Sequence, residues 1–184
     1  MRTNKITLLL GNRNTGKTVY AKKIMQTALQ ADKAVLVIDT YDHPAYNGVE
    51  RIKPSEIRKC KRGNIYRCFG AETDLIFNAC ADFYNGLLVF EDATKYIENT
   101  ITDDVKKVLF DSKQKNVDVL LMFHSWVACP PKLFRIADNL VIKKTGDSAE
   151  VRKNDCPNFQ EVMKVYEEVE KSKDRYIAKF VKLQ

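Results

Sequence analysis

Short apolar runs alternate along the chain with longer stretches in which apolar residues recur at helical spacing. The apolar runs predict buried strands, at Ile6–Leu10, Ala34–Asp39, Asn64–Phe69, Leu87–Glu91, Val117–Phe123 and Asn139–Lys143. The helical spacing predicts helices, at Lys17–Ala31, Glu72–Tyr84, Asp103–Lys115 and Asn158–Lys171. Proline favours the first turn of a helix, which indicates a short helix at Pro130–Ile136, and a weak alternation predicts a last edge strand at Arg175–Val181.

This order of elements predicts an α/β fold. Strands that are apolar nearly throughout are typical of a mostly parallel sheet with helices on both faces. The chain has 184 residues, of which 45% are hydrophobic, and no repeat or linker interrupts it. That is the size of one globular domain with a sizeable core. We therefore expect a single domain over 1–184, with a C-terminal helix and edge strand within 150–184.

The first predicted strand runs into a loop that opens the first predicted helix. The loop matches the pattern GxxxxGK[ST], whose backbone N–H groups surround phosphate oxygens at the start of a helix. In this pattern the lysine, here Lys17, reaches the β- and γ-phosphates, and the next hydroxyl, here Thr18, binds Mg²⁺. The predicted phosphate loop consists of Gly11, Asn12, Arg13, Asn14, Thr15, Gly16, Lys17 and Thr18. The sequence thus predicts a nucleoside triphosphate site in the three-layer sandwich of P-loop NTPases.

The predicted strand Leu87–Glu91 ends in two acidic residues, Glu91 and Asp92. P-loop ATPases place one carboxylate there for Mg²⁺ and a second one that orients the attacking water. By position, Glu91 shares the Mg²⁺ with Thr18, and Asp92 acts on the water. An exchange of these roles stays open, because the side chain of Glu is longer than that of Asp. An acidic cap on a following helix is the structural alternative.

The predicted strand Val117–Phe123 is followed by His124 and Ser125, where a side chain that senses the γ-phosphate is expected. A histidine with purely structural contacts is an equally good interpretation of His124. Arg135 is a candidate arginine finger, which would act on the nucleotide of a neighbouring subunit, and Arg152 is a weaker candidate. A solvated surface position is the alternative for both arginines. The predicted catalytic set is Lys17, Glu91, Asp92, Ser125 and Arg135.

The chain is basic, with a formal net charge of +7 and an isoelectric point near 9.1. Such a balance favours anionic partners such as nucleic acid. One segment concentrates basic residues, namely Arg51, Lys53, Arg58, Lys59, Lys61 and Arg62. This basic segment is a candidate contact for DNA phosphates, with a solvated helix face as the alternative. Thr94–Thr102, which contains Lys95 and Tyr96, is a second candidate.

The cysteines and the apolar runs bear on the cellular setting. The five cysteines are scattered without a CxxC pair, and the chain has two histidines, so we expect reduced thiols and no zinc site. The first apolar run is too short for a signal peptide, and none approaches the roughly 18 residues of a membrane span. We therefore expect a cytoplasmic protein that does not span a membrane.

The order of these parts resembles the FtsK–HerA superfamily of DNA-pumping ATPases. The resemblance covers about residues 5–145 and is carried by GNRNTGKT at 11–18, VIDTYDHPAY at 37–46, LLVFED at 87–92 and DSKQKNVDVLLMFHSW at 111–126. The sequence is most similar to the viral genome-packaging and filamentous-phage assembly (zonula-occludens-toxin-like) branches. It departs from them in two places. Glu91-Asp92 replaces the usual Asp-Glu, and His124-Ser125 stands where Thr-Gln is usual.

The resemblance implies an ATP-hydrolysing DNA translocase or genome-packaging motor subunit of viral or mobile-element type. It further implies ATP and Mg²⁺ as cofactors, double-stranded DNA as a partner, and a hexameric or pentameric ring of identical subunits. A capsid or membrane complex would serve as its docking partner, and the host cytoplasm as its location if it is viral.

Two other functions stay open. A small P-loop kinase fits the size, although such kinases usually carry an arginine-rich lid, and residues 143–155 contain one arginine. The tandem Glu91-Asp92 also favours hydrolysis over phosphate transfer. A nucleotide-switched assembly protein that does not act on DNA is the remaining alternative.

Overall fold

The computed structural model describes residues 4–39, 41–69, 73–97 and 101–184. Its eight strands are β1 (Ile6–Leu10), β2 (Ala34–Asp39), β3 (Glu50–Ile52), β4 (Ile65–Phe69), β5 (Gly86–Phe90), β6 (Val117–Phe123), β7 (Asn139–Ile142) and β8 (Lys179–Lys182). Its α-helices are α1 (Lys17–Gln30), α2 (Thr73–Cys80), α3 (Asp103–Asp111), α4 (Pro131–Ile136) and α5 (Phe159–Lys171). The strands form one sheet in the order β3-β4-β2-β5-β6-β1-β7-β8. All pairs are parallel except β7 with β8.

The sheet is covered on both faces, which confirms the predicted three-layer α/β fold. Successive side chains of a strand point to opposite faces, so Leu9 joins one buried cluster while Leu8 and Leu10 join the other. The cluster around Leu9 contains Ala21 and Met25 of α1. The cluster around Leu8 contains the buried residues of α2, α3, α4 and α5. Within the described residues, α1 is therefore the only α-helix that covers this face of the sheet, and the other four α-helices cover the opposite face.

The predicted strands and helices are present, and several ends differ. Helix α2 ends at Cys80 instead of Tyr84, and turns follow it, in which the N–H of Phe83 donates to the carbonyl of Cys80 (3.1 Å). The first residue predicted for that helix lies outside the described residues. Helix α3 ends at Asp111, where turns replace the predicted continuation to Lys115.

The predicted last strand, Arg175–Val181, is displaced toward the C-terminus. The carboxylate of Asp174 accepts a hydrogen bond from the backbone N–H of Tyr176 (2.8 Å) and forms a turn there. The chain therefore begins to pair with β7 only at Lys179. Strand β3, three residues long at the edge of the sheet, was not predicted.

The parallel order brings the carboxyl ends of β1, β2, β5 and β6 to one edge of the sheet. The register pairs Ile38 with Phe90, Phe90 with Leu121, and Leu10 with Phe123. The residues that follow each of these strands therefore meet at that edge, which is where ligands bind in open α/β sheets.

A buried ion pair joins two neighbouring strands beside this edge. Arg67 of β4 and Asp39 at the end of β2 are each 1% exposed, and Arg67 Nε donates to Asp39 Oδ2 (2.7 Å). Arg67 also bonds the carboxylate of Asp42 in the loop after β2. Because both side chains are buried, removing Arg67 would leave the Asp39 carboxylate with backbone N–H partners, from Tyr41 and His43, but without a positive charge beside it.

We expect Arg67→Met to lower the free energy of unfolding by about 3–5 kcal/mol, because it leaves the Asp39 carboxylate buried without its counter-charge. Urea unfolding of the purified variant measures this loss. The matched control is Arg62→Met, since Arg62 pairs with Asp32 at an exposed site and should cost less than about 1 kcal/mol. Equal losses in the two variants would contradict a special role for the buried pair.

Candidate nucleotide site

The loop between β1 and α1 is fixed at its start to both neighbouring strands. The N–H of Gly11 donates to the carbonyl of Phe123 (3.2 Å), at the end of β6, and the N–H of Asn12 donates to the carbonyl of Lys144 (2.7 Å), after β7. The hydroxyl of Thr15 closes the loop on the Asn12 carbonyl (2.8 Å). The loop is therefore preorganised by the sheet.

Two glycines are required by this loop. A Cβ at Gly11 would stand 2.8 Å from Lys143 Cβ, which leaves no room for a side chain. Gly16 has φ +78°, in the left-handed region that favours glycine, and it is the N-cap of α1. Helix α1 has no acidic residue in its first turn, so an anion is free to bind at its positive end.

Lys17 folds back over the loop. Its ammonium donates to the carbonyls of Gly11 (2.5 Å) and Asn12 (2.9 Å) and lies 3.1 Å from Nδ1 of His124. Burial lowers the pKa of Lys17 to about 8, although the charges of Glu91 and Asp92 oppose the change. The site thus holds a buried lysine that interacts with backbone oxygens and an imidazole.

Glu91 is held by two hydroxyl groups. Thr18 Oγ1 donates to Glu91 Oε1 (2.7 Å), and the Tyr46 hydroxyl donates to Glu91 Oε2. Burial raises the pKa of Glu91, although these two hydrogen bonds favour its charged form. Burial and the charge of Glu91 raise the pKa of Tyr46, so the tyrosine hydroxyl keeps its proton and continues to donate.

Asp92 faces the imidazole that also contacts Lys17. His124 Nε2 lies 3.5 Å from Asp92 Oδ2. Burial acts to raise the pKa of Asp92, but its interactions with His124 and Thr94 together outweigh the effect of burial, so the pKa is lowered. Asp92 is therefore ionised at neutral pH. Lys17, His124 and Asp92 form a continuous chain of polar contacts.

These side chains surround a cleft of about 440 Å³ at the carboxyl edge of the sheet. Its lining includes part of the phosphate loop, both strand-end acids and residues that sequence reasoning missed. The lining residues are Arg13, Asn14, Gly16, Lys17, Thr18, Val19, Asp39, Tyr41, His43, Glu91, Asp92 and His124. The missed residues are Asp39, Tyr41, His43 and the nearby Tyr46. The signal in the sequence that could have identified Asp39 was its position at the end of a predicted buried strand.

Two residues of the predicted catalytic set lie outside this lining. The hydroxyl of Ser125 accepts a hydrogen bond from the N–H of Ala128 (3.1 Å), so it stabilises the turn after β6. Arg135 lies at the end of α4, just before β7 begins. It therefore lies near the amino ends of the parallel strands, whereas the cleft lies at their carboxyl ends. There it contacts Asp155 (3.3 Å). Of the two residues that follow β6, the structure brings His124 into the cleft instead of Ser125.

The segment after His124 is clamped by two charged residues. The carboxylate of Asp147 accepts from the N–H groups of Trp126 (3.1 Å) and Val127 (2.8 Å). Arg152, considered as a weaker arginine finger, donates to the carbonyls of the same two residues (3.0 and 2.9 Å). In this chain Arg152 thus anchors the backbone next to the cleft.

The basic segment lies near the β3 edge of the sheet, outside the cleft lining. Arg51 pairs with Asp42 and Arg62 with Asp32. Arg58, Lys59 and Lys61 are exposed and form no salt bridge within the described parts of the chain. Of the second candidate, Thr94–Thr102, residues 98–100 lie outside the described residues.

The parallel sheet, the loop GNRNTGKT and the cleft beside it define a P-loop NTPase fold. Solved structures with the same fold include the genome packaging NTPase B204 from Sulfolobus turreted icosahedral virus 2. Its complex with ATP-gammaS matches with a TM-score of 0.79 at 14% identity, over 100% of this chain and 94% of that one. Its complex with AMPPCP matches with a TM-score of 0.78 at 14% identity, over 98% and 93%.

A second similar structure is B204, the DNA-packaging ATPase from Sulfolobus Turreted Icosahedral Virus. It matches with a TM-score of 0.72 at 12% identity, over 98% of each chain. No protein-family model matches the sequence, and no curated protein matches it significantly. None of the helices in the described ranges is both long and apolar enough to cross a membrane.

The lowered pKa of Lys17 predicts a distinct pH dependence of stability. The unfolded chain keeps this proton up to pH 10.5 and the folded chain only to about pH 8. Between these values the unfolded state binds more protons, so the free energy of unfolding rises with pH, by at most about 1.4 kcal/mol per unit. Urea unfolding from pH 7 to pH 10 should show this rise relative to Lys17→Met. Parallel curves for the two proteins would contradict the lowered pKa.

Proposed function

We propose that the chain is an ATP-hydrolysing subunit of a motor that packages a viral genome. The observation that carries the hydrolysis is the hydrogen bond from Thr18 Oγ1 to Glu91 Oε1 (2.7 Å), with Asp92 beside it in the cleft. A P-loop hydroxyl and a strand-end carboxylate thus meet where the β- and γ-phosphates of a nucleotide would lie.

The donor set at this point fits Mg²⁺. Mg²⁺ prefers oxygen ligands and is usually held by one or two protein groups together with substrate phosphates. Thr18 and Glu91 offer a hydroxyl and a carboxylate, and Tyr46 holds the second Glu91 oxygen. Mg²⁺ bound there would neutralise charge on the β- and γ-phosphate oxygens.

The remaining residues of the cleft have separate roles in the proposed reaction. Lys17 leaves the carbonyls of its own loop and binds the β- and γ-phosphates. Asp92, whose pKa is lowered by its interactions with His124 and Thr94, is ionised, and it accepts a hydrogen bond from the attacking water and orients it. His124, in contact with both Lys17 and Asp92, responds to the γ-phosphate. Glu91 is thus the metal ligand and Asp92 the residue that acts on water.

The packaging role rests on three supports. The structurally similar B204 proteins are described as genome-packaging and DNA-packaging enzymes, and this chain spans nearly their whole length. Its net charge of +7 favours a polyanion. Exposed Arg58, Lys59 and Lys61 provide phosphate contacts that need no base recognition. We further propose a ring of identical subunits in which Arg135 leaves Asp155 and acts on a neighbour's nucleotide.

We expect Asp92→Asn to lower the turnover number for ATP about 10²- to 10⁴-fold, with nucleotide affinity within a few-fold of wild type. The amide keeps the shape of the side chain but loses the charge that orients the water. Steady-state phosphate release and equilibrium binding of a non-hydrolysable ATP analogue measure the two effects. Asp103→Asn, at an exposed position on α3, is the matched control. A variant Asp92→Asn with normal turnover would contradict the assignment.

We expect double-stranded DNA to stimulate ATP hydrolysis, with a stimulation that declines as salt rises, because the contacts are made to phosphates. The double variant Arg58→Glu, Lys59→Glu should lose most of it. The control double variant is Lys132→Glu, Lys153→Glu. These two exposed lysines flank β7 in the sequence, near the end of the strand order opposite β3. Hydrolysis indifferent to DNA would favour a nucleotide-switched assembly protein, and phosphate transfer to an added nucleoside would favour a kinase.

A further inference from the structure

The segment between α5 and β8 lies against the phosphate loop. The ring of Tyr176 packs on Gly16, with its Cδ1 atom 3.1 Å from the point where a Cβ on that glycine would stand. The side chain is nevertheless 64% exposed. An aromatic ring is thus placed at the start of α1, beside the cleft, without being buried in the core.

The position of this tyrosine is fixed by a buried lysine. Lys143, 2% exposed, follows β7, and its ammonium donates to the carbonyls of Tyr176 (2.7 Å) and Ile177 (3.1 Å). The carboxylate of Asp174 accepts from the N–H of Tyr176 (2.8 Å). Burying a lysine is costly unless its donors are satisfied, and here its two hydrogen bonds hold the backbone carbonyls of Tyr176 and the next residue, Ile177.

The charged residues at one end of the cleft indicate how a bound nucleotide would be oriented. Lys17, Asp92 and His124 mark the end where the γ-phosphate reacts. The backbone N–H groups of the loop cradle the α- and β-phosphates, so the sugar and base leave the cleft on the side away from Asp92. Gly16 and the exposed Val19 line the cleft at the start of α1, and Tyr176 lies directly beside Gly16.

We propose that Tyr176 is the platform on which the base of the nucleotide stacks. This inference rests on the proposed binding of ATP at the phosphate loop and adds a subsite for the nucleoside portion. Stacking on an aromatic ring uses the face of the base and needs no contact with its polar edge. It therefore requires only an exposed ring at a fixed place. Lys143 and Asp174 hold the backbone at Tyr176, and the ring packs on Gly16.

The test compares two ligands that differ in the nucleoside alone, ADP and inorganic pyrophosphate, each titrated with excess Mg²⁺ by calorimetry. We expect Tyr176→Ala to weaken ADP binding about 5- to 150-fold, the range of base–aromatic stacking, with pyrophosphate affinity within two-fold of wild type. Tyr176→Phe should bind ADP like wild type. Tyr84→Ala removes an exposed tyrosine before β5, at the opposite edge of the sheet, and should leave both affinities unchanged.

A second variant covers the case in which Tyr176→Ala fails to fold. The chain has one tryptophan, the fully buried Trp126, so Tyr176→Trp adds an exposed reporter. We expect ADP to quench its fluorescence and pyrophosphate to leave it unchanged. Equal loss of both ligands in Tyr176→Ala, no loss of either, or no ADP-specific quenching would overturn the stacking platform. A wild type that binds neither ligand would instead overturn the proposed function on which the inference rests.

Discussion

The register of the parallel sheet is the constraint on which the rest of the site depends. Strand β1 lies between β6 and β7, and β5 lies between β2 and β6. A shift of one residue exchanges the two faces of a strand. Such a shift in β5 would turn Phe90 out of its cluster and withdraw Glu91 from Thr18. The buried apolar side chains that fix the register therefore also fix the distance between the two halves of the candidate site.

The cleft brings together ionisable side chains whose charged forms are disfavoured by burial. Burial lowers the pKa of Lys17 and raises that of Glu91, and both changes favour the neutral form. A bound polyphosphate with a divalent cation would supply an opposite charge to each group. The ligand and these ionisation states are therefore coupled. Thr18 and Glu91 already meet before a nucleotide arrives, so this part of the site has less to reorganise on binding, whereas Lys17 must turn away from its loop carbonyls.

The parts of the site that are local along the chain can be predicted from the sequence. The phosphate loop needs only eight consecutive residues, and Glu91 and Asp92 directly follow an apolar strand. The roles of Arg67 and Tyr46 were not predicted. Their partners Asp39 and Glu91 lie 28 and 45 positions away, and contacts over such distances depend on the order of the strands in the sheet. The same limit applies to Ser125 and His124, since the turn after β6, and not the residue type, decides which side chain enters the cleft. Asp174 displaced the last strand through a turn that a weak alternation does not reveal.

The contacts of His124 give a physical account of the departure from the usual Thr-Gln. An amide side chain offers one acceptor and a pair of donors, and a neutral imidazole offers one acceptor and one donor. Here Nδ1 faces the ammonium of Lys17 and Nε2 faces the carboxylate of Asp92, so both capacities are used. In the proposed reaction Lys17 turns to a phosphate, which would leave Nδ1 without its donor and the contact with Asp92 as the one that remains. The imidazole thus links Lys17, which we propose binds phosphate, to Asp92, which we propose orients the water, although these two residues are 75 positions apart in the sequence.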